Sequence, residues 1–221
     1  MPETLPYAIA VGILLLSVLT VRALVVLNSI QTASQPQKRA SAESCRVCIV
    51  LGSGGHTAEM MRLVRSLPPS RYAPRKYVLA ETDTISEEKA RSFERSIGAA
   101  EGIDYTVVKV PRSREVKQSY ITAILTTLRA VPASLRAVVA GAPELIICNG
   151  PGTCVPICAW AFILRVLFGY RVITMFVESY ARVQSLSLSG KLLYPFVDCF
   201  VVQWEGLKER YPRAEFRGRL V

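Results

Sequence analysis

This chain of 221 residues contains one histidine, His56, and its cysteines are not spaced to supply the remaining ligands of a metal site. Structural zinc sites need four cysteine or histidine ligands at short spacings. Cys45 and Cys48 form the one C-x-x-C pair, and no second pair is present to complete a site. Both lie at the start of a predicted strand, so their side chains should point to opposite faces. We therefore predict no metal site, no redox pair and no cofactor.

The other cysteines lie within apolar runs, where they are expected to be small buried hydrophobic residues. They are Cys148, Cys154, Cys158 and Cys199. Cysteines used in this way suit a reducing compartment, which is where we expect the body of the protein to lie.

Charge is missing from the first long apolar stretch. Residues 5–21, LPYAIAVGILLLSVLTV, contain no charged side chain, and the apolar run ALVVL follows Arg22. This length predicts a helix that spans a bilayer. A cleaved signal peptide fits poorly, because residues 1–4 lack lysine and arginine and the apolar stretch is long. We predict a luminal tail at 1–4, an anchor at 5–27, a linker at 28–44 and a body at 45–221.

Positive charge is distributed unevenly about the predicted anchor. Lysine and arginine follow it closely, whereas the residues before it carry only Glu3 and the terminal amine. Since positively charged flanks stay on the cytoplasmic side, we predict a single-pass protein whose body faces the cytosol.

The net charge of the whole chain is +10, and 51% of its residues are hydrophobic. This combination suits a protein held at an anionic membrane surface, or one that binds phosphate-rich ligands. The sequence has no helix-turn-helix, zinc-finger or RNP pattern, so we do not expect nucleic acid as a partner.

Strand-like and helix-like segments alternate along the body. Strands are predicted at 46–51, 76–80, 105–110, 145–148, 171–176 and 199–203, and helices at 58–67, 86–97, 120–139, 155–167 and 186–193. Short apolar strands separated by longer helices indicate βαβ crossovers. We therefore predict an α/β, Rossmann-like fold with a mainly parallel sheet. Ligands of such sheets bind where the strands end, so the residues directly after each strand are the functional candidates.

Two predicted helices have unusual sequences, one with an internal proline and one with an almost entirely apolar surface. Pro132 lies inside 120–139 and predicts a kink or a division into two shorter helices. Residues 155–167, VPICAWAFILRVL, are apolar nearly all round. This helix could be buried against the sheet or could rest partly in the membrane interface.

The loop after the first strand, GSGGH, is rich in glycine and precedes a helix. Glycine permits positive φ and close approach of the backbone to a ligand. The N-terminus of the following helix offers N–H groups and the positive end of its dipole. The alternative is a tight turn in which the histidine only caps the helix. The predicted phosphate-binding residues of this loop are Gly52, Ser53, Gly54, Gly55 and Thr57.

A membrane-anchored NAD(P)-dependent oxidoreductase is the alternative function. The dinucleotide fingerprint has Gly or Ala where Thr57 stands, and an acidic residue about twenty positions further on. Glu81 and Asp83 instead lie almost thirty positions after the loop begins. Both departures weaken this alternative.

Three more loops follow predicted strands. NGPGT follows the fourth strand, and FVESYAR, containing Glu178, follows the fifth. VPRSREVKQSY, with Lys117, follows the third and could meet a diphosphate or anionic head groups, or could be a plain solvated loop. Separately they fit turns and solvated side chains, but together on one sheet edge they suggest a site. The candidate ligand- or phosphate-binding residues in these loops are Asn149, Gly150, Gly152, Arg112 and Arg114.

Several long segments in order resemble one family. They are LGSGGHTAEMMRL, ICNGPGTCVPICAWAF, ITMFVESYARVQSLSLSGKLLYPFVDCFVVQW and LKERYPRAEFRGRLV. The chain resembles the membrane-anchored subunit of the eukaryotic N-acetylglucosaminyltransferase of the dolichol pathway. That family is similar to the N-terminal half of the bacterial peptidoglycan transferase, so the resemblance implies one half of a GT-B fold.

The resemblance also implies an activity and partners. N-acetylglucosamine would pass from UDP-N-acetylglucosamine to dolichyl-diphosphate-N-acetylglucosamine on the cytosolic face of the endoplasmic reticulum. A separate soluble subunit would supply the donor-binding half, so that this chain would be inactive alone. A third hypothesis is a pure scaffold that only brings this partner to the membrane.

Residue roles follow from the strand-end loops and from the resemblance, which implies that the loop residues named above bind the acceptor. His56 matches the histidine in the glycine-rich loop of the bacterial relative and is the candidate base or acceptor-orienting group, since imidazole titrates near neutral pH. Glu178 is a second catalytic candidate, as a carboxylate that could face the cleft. The terminal residues Leu220 and Val221 are expected to dock into the soluble subunit.

Overall fold

The computed structural model describes residues 4–32, 43–112 and 120–220, with side chains described for 7–32, 43–112 and 130–220. The helices in these ranges are α1 (Thr4–Thr32), α2 (Gly55–Ser66), α3 (Thr84–Ser96), α4 (Tyr120–Val139), α5 (Cys154–Phe168), α6 (Leu188–Leu193) and α7 (Glu205–Arg210). The strands are β1 (Val47–Val50), β2 (Arg75–Ala80), β3 (Tyr105–Val110), β4 (Leu145–Cys148), β5 (Ile173–Val177), β6 (Cys199–Val202) and β7 (Glu215–Phe216).

Within the described ranges, seven strands form one sheet in the order β3-β2-β1-β4-β5-β6-β7. Every neighbouring pair is parallel. The predicted α/β, Rossmann-like sheet is therefore confirmed. The strand order reverses direction between β1 and β4, which lie side by side although almost a hundred residues separate them.

The sheet is buried on both faces, because helices cover each side. On one face, Ile49 and Tyr77 pack with Met60 of α2 and Phe93 of α3. The other face packs against α4, α5, α6 and α7, whose contributions include Val138, Ile157, Leu193 and Leu207. This double cover explains the short, continuous apolar runs that identified the strands.

Cys48 lies in the cluster on the second face, and Cys45 is buried at the entry to β1. The cysteines expected in apolar surroundings, Cys148, Cys154, Cys158 and Cys199, are all buried. Burial raises the pKa of the Cys48 thiol to about 12. An unreactive structural role follows for this thiol, since the thiolate is the reactive form.

Of the two outcomes predicted for Pro132, a division into two helices is not observed, and a kink stays a prediction. Pro132 lies inside α4, yet Tyr120–Val139 is assigned as a single helix and not as two shorter ones. Proline removes one backbone donor from a helix. A side chain of the next helix uses a nearby carbonyl, since the indole N–H of Trp160 donates to the carbonyl of Val131 at 2.8 Å.

Helix α1 contains a segment of 26 residues, Tyr7–Thr32, which is long and apolar enough to cross a membrane. It continues through residues 28–32, where the sequence predicted a linker. Most of its side chains are exposed, but Ile30 is buried.

Helix α5 has features expected of both alternatives, a helix buried against the sheet and a helix that rests partly in the membrane interface. Ile157, Cys158 and Ala161 are buried in the core. The opposite side faces α1, and an apolar groove between the two helices is lined by Leu19, Thr20, Ala23, Phe162, Ile163, Val166 and Leu167. At the end of α5, Phe168 is 75% exposed.

Candidate functional site

The loops after β1 and β4 meet where the strand order reverses. In open parallel sheets this is the position of the ligand crevice, because the connections leave in opposite directions there. His56, in the first turn of α2, has its Nδ1 atom 3.0 Å from Oδ1 of Asn149, directly after β4. The structure therefore brings together two predicted site residues from distant parts of the chain.

A carboxylate extends this contact. Nδ2 of Asn149 donates to Oε2 of Glu59 at 3.0 Å, and Oγ of Ser179 donates to Oε1 of Glu59 at 2.9 Å. Asn149 is fully buried, so its amide is directed at His56 and Glu59. The Asn149 side chain therefore holds the imidazole, and the binding of the acceptor at this residue stays a prediction.

The sequence did not single out Glu59 or Ser179. Glu59 stands three positions after His56 in α2, a spacing that places both on one helix face. That spacing was the available signal, but it is common in solvated helices. Ser179 follows Glu178, and only the adjacency of β4 and β5 brings it to the same cluster.

Gly150 provides the surface on which the imidazole lies. Its φ is +68°, and a Cβ at this position would stand 2.3 Å from Cε1 of His56. Only glycine accommodates both the positive φ and the adjacent ring. The next glycine of this loop, Gly152, is half-buried at the start of α5, where its carbonyl accepts from the amide of Val155.

If His56 has the predicted role as base or acceptor-orienting group, Gly150→Ala should reduce transfer of N-acetylglucosamine by about a hundredfold, because misplacing a reacting group by about 1 Å costs about that much. Gly98→Ala is the matched control: Gly98 also has positive φ, +72°, but nothing lies within 4 Å of its Cβ position. Both variants carry the left-handed strain of roughly 1–2 kcal/mol. Thermal unfolding and transfer would be measured for both, and equal transfer in the two variants would contradict the packing role of Gly150.

The outer part of the glycine-rich loop is open. Ser53, Gly54 and Gly55 are exposed, and Gly54 has a φ of +61° with nothing within 4 Å of its Cβ position. Gly54 is the N-cap of α2 and offers no capping side chain, and the first turn contains no acidic residue. An anion would therefore meet the positive end of α2 beside His56.

The inner part of the loop is structural. Gly52 is buried, and its carbonyl accepts from Oγ1 of Thr57 and lies 2.8 Å from Oγ of Ser86. Thr57 is also buried, 2.6 Å from the same serine hydroxyl. The Gly52 carbonyl and the Thr57 hydroxyl are thus used to join α2 to α3, and the binding of acceptor or phosphate at these two residues stays a prediction.

Glu178 is fully buried and does not face a cleft. Its Oε1 accepts from the amide of Ser179 at 3.0 Å, and its Oε2 accepts from the amide of Ser187 at 2.9 Å. Burial raises the pKa of Glu178, and these hydrogen bonds oppose the rise. The expectation of a catalytic carboxylate facing the cleft is therefore corrected: Glu178 ties the loop after β5 to the start of α6.

The basic loop after β3 lies toward the edge of the sheet. Arg112 is half-buried, while Arg114 and Lys117 fall outside the described residues. Strand β3 is two places from β1. Neighbouring strands are about 4.8 Å apart, so Arg112 follows a strand roughly 10 Å from the one that leads to His56.

The end of the chain folds partly onto its own sheet. Strand β7 pairs with β6, and the amide of Leu220 donates to Oε1 of Gln203 at 3.1 Å. The guanidinium of Arg219 lies 4.8 Å from the ring centroid of Trp204. Leu220 nevertheless remains 38% exposed, and Val221 lies outside the described residues. The predicted docking of Leu220 and Val221 stays a prediction.

The acidic residues considered for a dinucleotide site have other positions. The carboxylate of Asp83 accepts from the amide of Ser86 at 3.1 Å, which caps α3. Glu81 is exposed at the turn that precedes it. Capping of α3 accounts for Asp83, so no contact with the ribose of a nucleotide is needed to explain this residue.

Residues 47–220 match the family model described as "Oligosaccharide biosynthesis protein Alg14 like". The rat protein named UDP-N-acetylglucosamine transferase subunit ALG14 is 47% identical over 183 residues, which cover 81% of this chain and 84% of the rat protein. The human protein of that name is 45% identical, with the same coverage of 81% and 84%. The one from Schizosaccharomyces pombe is 44% identical over 77% of this chain and 80% of its own length. None of these names supports the oxidoreductase alternative.

Among solved structures, the crystal structure of Acinetobacter baumannii MurG is similar to this chain with a TM-score of 0.48 and 13% identity. The similarity covers 73% of this chain and 41% of the MurG chain. This chain therefore spans less than half the length of that protein.

Proposed function

The chain belongs to the Alg14-like family of oligosaccharide biosynthesis proteins, and on that premise we propose that it is the membrane-anchoring, acceptor-binding subunit of a two-subunit glycosyltransferase. The reaction adds the second N-acetylglucosamine to dolichyl-diphosphate-N-acetylglucosamine in N-glycan precursor synthesis, with UDP-N-acetylglucosamine as donor. The names of the rat, human and yeast relatives support a transferase subunit.

One observation carries the proposal: a single imidazole is held at the strand-order reversal, next to an open helix N-terminus. An acceptor diphosphate bound at that N-terminus would place its sugar hydroxyl near His56. The imidazole then takes the hydroxyl proton, or orients the hydroxyl, while the donor approaches from the open side.

A soluble partner supplies the donor-binding half. The described residues form one Rossmann-like sheet, whereas a GT-B enzyme places two such domains on either side of a cleft. On this proposal the chain is inactive alone and recruits its partner to the endoplasmic reticulum. Confinement of the complex and its lipid acceptor to one membrane raises their effective concentration.

The contact between α1 and α5 supports a membrane-facing body. A hydrocarbon core about 30 Å thick takes about 20 helical residues, so a span that begins at Tyr7 would end near Leu27. Leu19 and Ala23, which line the groove with α5, would then lie roughly 6–12 Å inside that boundary. Interfacial helices reach about 5–10 Å into the same region, so Phe168 and its neighbours on α5 would meet lipid.

The test of the whole proposal is reconstitution. The chain and its soluble partner would be expressed separately and together, and transfer of labelled N-acetylglucosamine to a dolichyl-diphosphate acceptor would be measured. We expect transfer only when both are present. Full transfer by the soluble partner alone would contradict the acceptor-binding role.

We expect protease added to sealed microsomes to digest the body, because the positive charges after α1 keep it on the cytosolic side. A short epitope placed before Met1 should remain protected until detergent opens the vesicles. Protection of the body in sealed vesicles would contradict the orientation, and a mature protein without α1 would contradict the anchor.

A further inference from the structure

We propose that Glu59 is a positioning residue, which acts through Asn149 to hold the proton of His56 on Nδ1 and to leave Nε2 as the basic nitrogen. This inference rests on the proposed function in that it concerns the same imidazole. It adds a residue that the sequence did not indicate and a defined tautomer.

The direction of each hydrogen bond follows from the chemistry of the groups. A carboxylate only accepts, so Nδ2 of Asn149 must be the atom that meets Oε2 of Glu59, at 3.0 Å. The amide oxygen then faces Nδ1 of His56, also at 3.0 Å. A flipped amide would set its oxygen against the carboxylate. Because Oδ1 only accepts, Nδ1 of the imidazole must be the donor.

A backbone group fixes the far end of this chain of bonds. The amide of Ala181 donates to Oγ of Ser179 at 3.3 Å, and that hydroxyl donates to Oε1 of Glu59 at 2.9 Å. The serine proton is thereby directed at the carboxylate. The hydrogen bonds therefore converge on the Glu59 carboxylate, from Ser179 on one side and from His56 through Asn149 on the other.

The second imidazole nitrogen is left for the substrate. Among the described residues, nothing forms a hydrogen bond to Nε2 of His56, and the side chain is half-buried beside Gly150. In the transfer step, Nε2 takes the proton from the acceptor hydroxyl. The hydroxyl oxygen bonds to the anomeric carbon of the donor, and UDP leaves with the electron pair. The imidazolium still donates from Nδ1 to Asn149, and the charge of Glu59 stabilises it through the amide.

The tautomer can be measured without any assay of transfer, since His56 is the chain's one histidine. The full chain would be labelled with ¹⁵N-histidine, purified in detergent with a tag that lacks histidine, and studied by NMR at about pH 8.5, well above the usual histidine pKa. We expect a protonated Nδ1 and an unprotonated Nε2. A proton on Nε2 in the wild-type protein would overturn the proposal.

Glu59→Gln tests the role of the carboxylate. Glutamine can present either its oxygen or its nitrogen to Asn149, so both amide orientations become consistent. We expect the population with the proton on Nδ1 to fall at least twofold. Glu88→Gln is the matched control, since Glu88 is exposed on α3 and pairs with Arg95. An unchanged tautomer in Glu59→Gln would also overturn the proposal.

Transfer by the assembled complex separates this inference from the proposed function. Glu59→Gln should lower kcat by about tenfold with little change in the KM for the acceptor, as expected for partial loss of a general base. Full transfer by His56→Ala would reject the base role and leave the tautomer result intact. A large defect in His56→Ala with no defect in Glu59→Gln would reject the positioning role alone.

Discussion

Replacing His56 with alanine is expected to reduce transfer by about 10²–10⁴-fold in a complex that still assembles, because loss of a general base has that effect. The imidazole lies in the first turn of α2 and contacts Asn149 and Gly150, away from the chain terminus proposed to bind the partner. Assembly should therefore be unaffected. Co-purification and transfer would be measured on the same preparations.

The kinetic pattern distinguishes the roles considered for His56. Loss of a base lowers kcat, whereas loss of a group that only orients the acceptor mainly raises the KM for the acceptor. Arg62→Ala is a suitable control, since Arg62 is exposed on the same helix. Wild-type turnover by His56→Ala would instead favour the scaffold hypothesis.

Deletion of residues 219–221 is expected to abolish co-purification with the soluble subunit and, with it, transfer. The deletion removes the stacking of Arg219 on Trp204 and the bond from Leu220 to Gln203. It also removes two apolar side chains, each worth roughly 1.5–3 kcal/mol when fully buried in a partner. The truncated chain should remain in the membrane, because α1 is intact.

Two further variants sharpen this test. Leu220→Ala with Val221→Ala keeps the chain length and removes only the apolar groups, so it should also weaken binding of the partner. Arg217→Ala is the control, because its guanidinium is exposed and pairs with Glu215 of the same tail. If the truncated chain binds its partner at full yield, docking lies elsewhere, and the exposed Leu188 and Leu192 of α6 become the next surface to test.

The end of the chain is folded onto its own domain and still leaves an apolar side chain exposed. The end of the chain folds back on its own sheet through β7 and through the contact of Leu220 with Gln203. The exposed part of Leu220 is still available to a partner. Gln203 in addition donates to the carbonyl of Glu178 at 3.0 Å, so this side chain links the tail to the loop next to the candidate site.

The sequence by itself determined the class of fold and most of its elements. The ranges predicted for β3, β4 and α4 agree with Tyr105–Val110, Leu145–Cys148 and Tyr120–Val139. Apolar runs and their periodicity report burial locally, and they do so most clearly where helices cover both faces of a sheet. The long apolar stretch and the glycine-rich loop were equally visible, because both are contiguous.

The tertiary structure alone decided which polar residues form the site. His56 and Asn149 meet because β1 and β4 are neighbours, and no local pattern specifies that pairing. The burial of Glu178 and Thr57 depends on hydrogen bonds to α6 and α3, which satisfy polar groups that sequence alone would place at the surface. Glu59 likewise belongs to the site only because of tertiary packing. A carboxylate in an amphipathic helix is usually solvated, and only packing of α2 beside the loops after β4 and β5 directs it at Asn149 and Ser179.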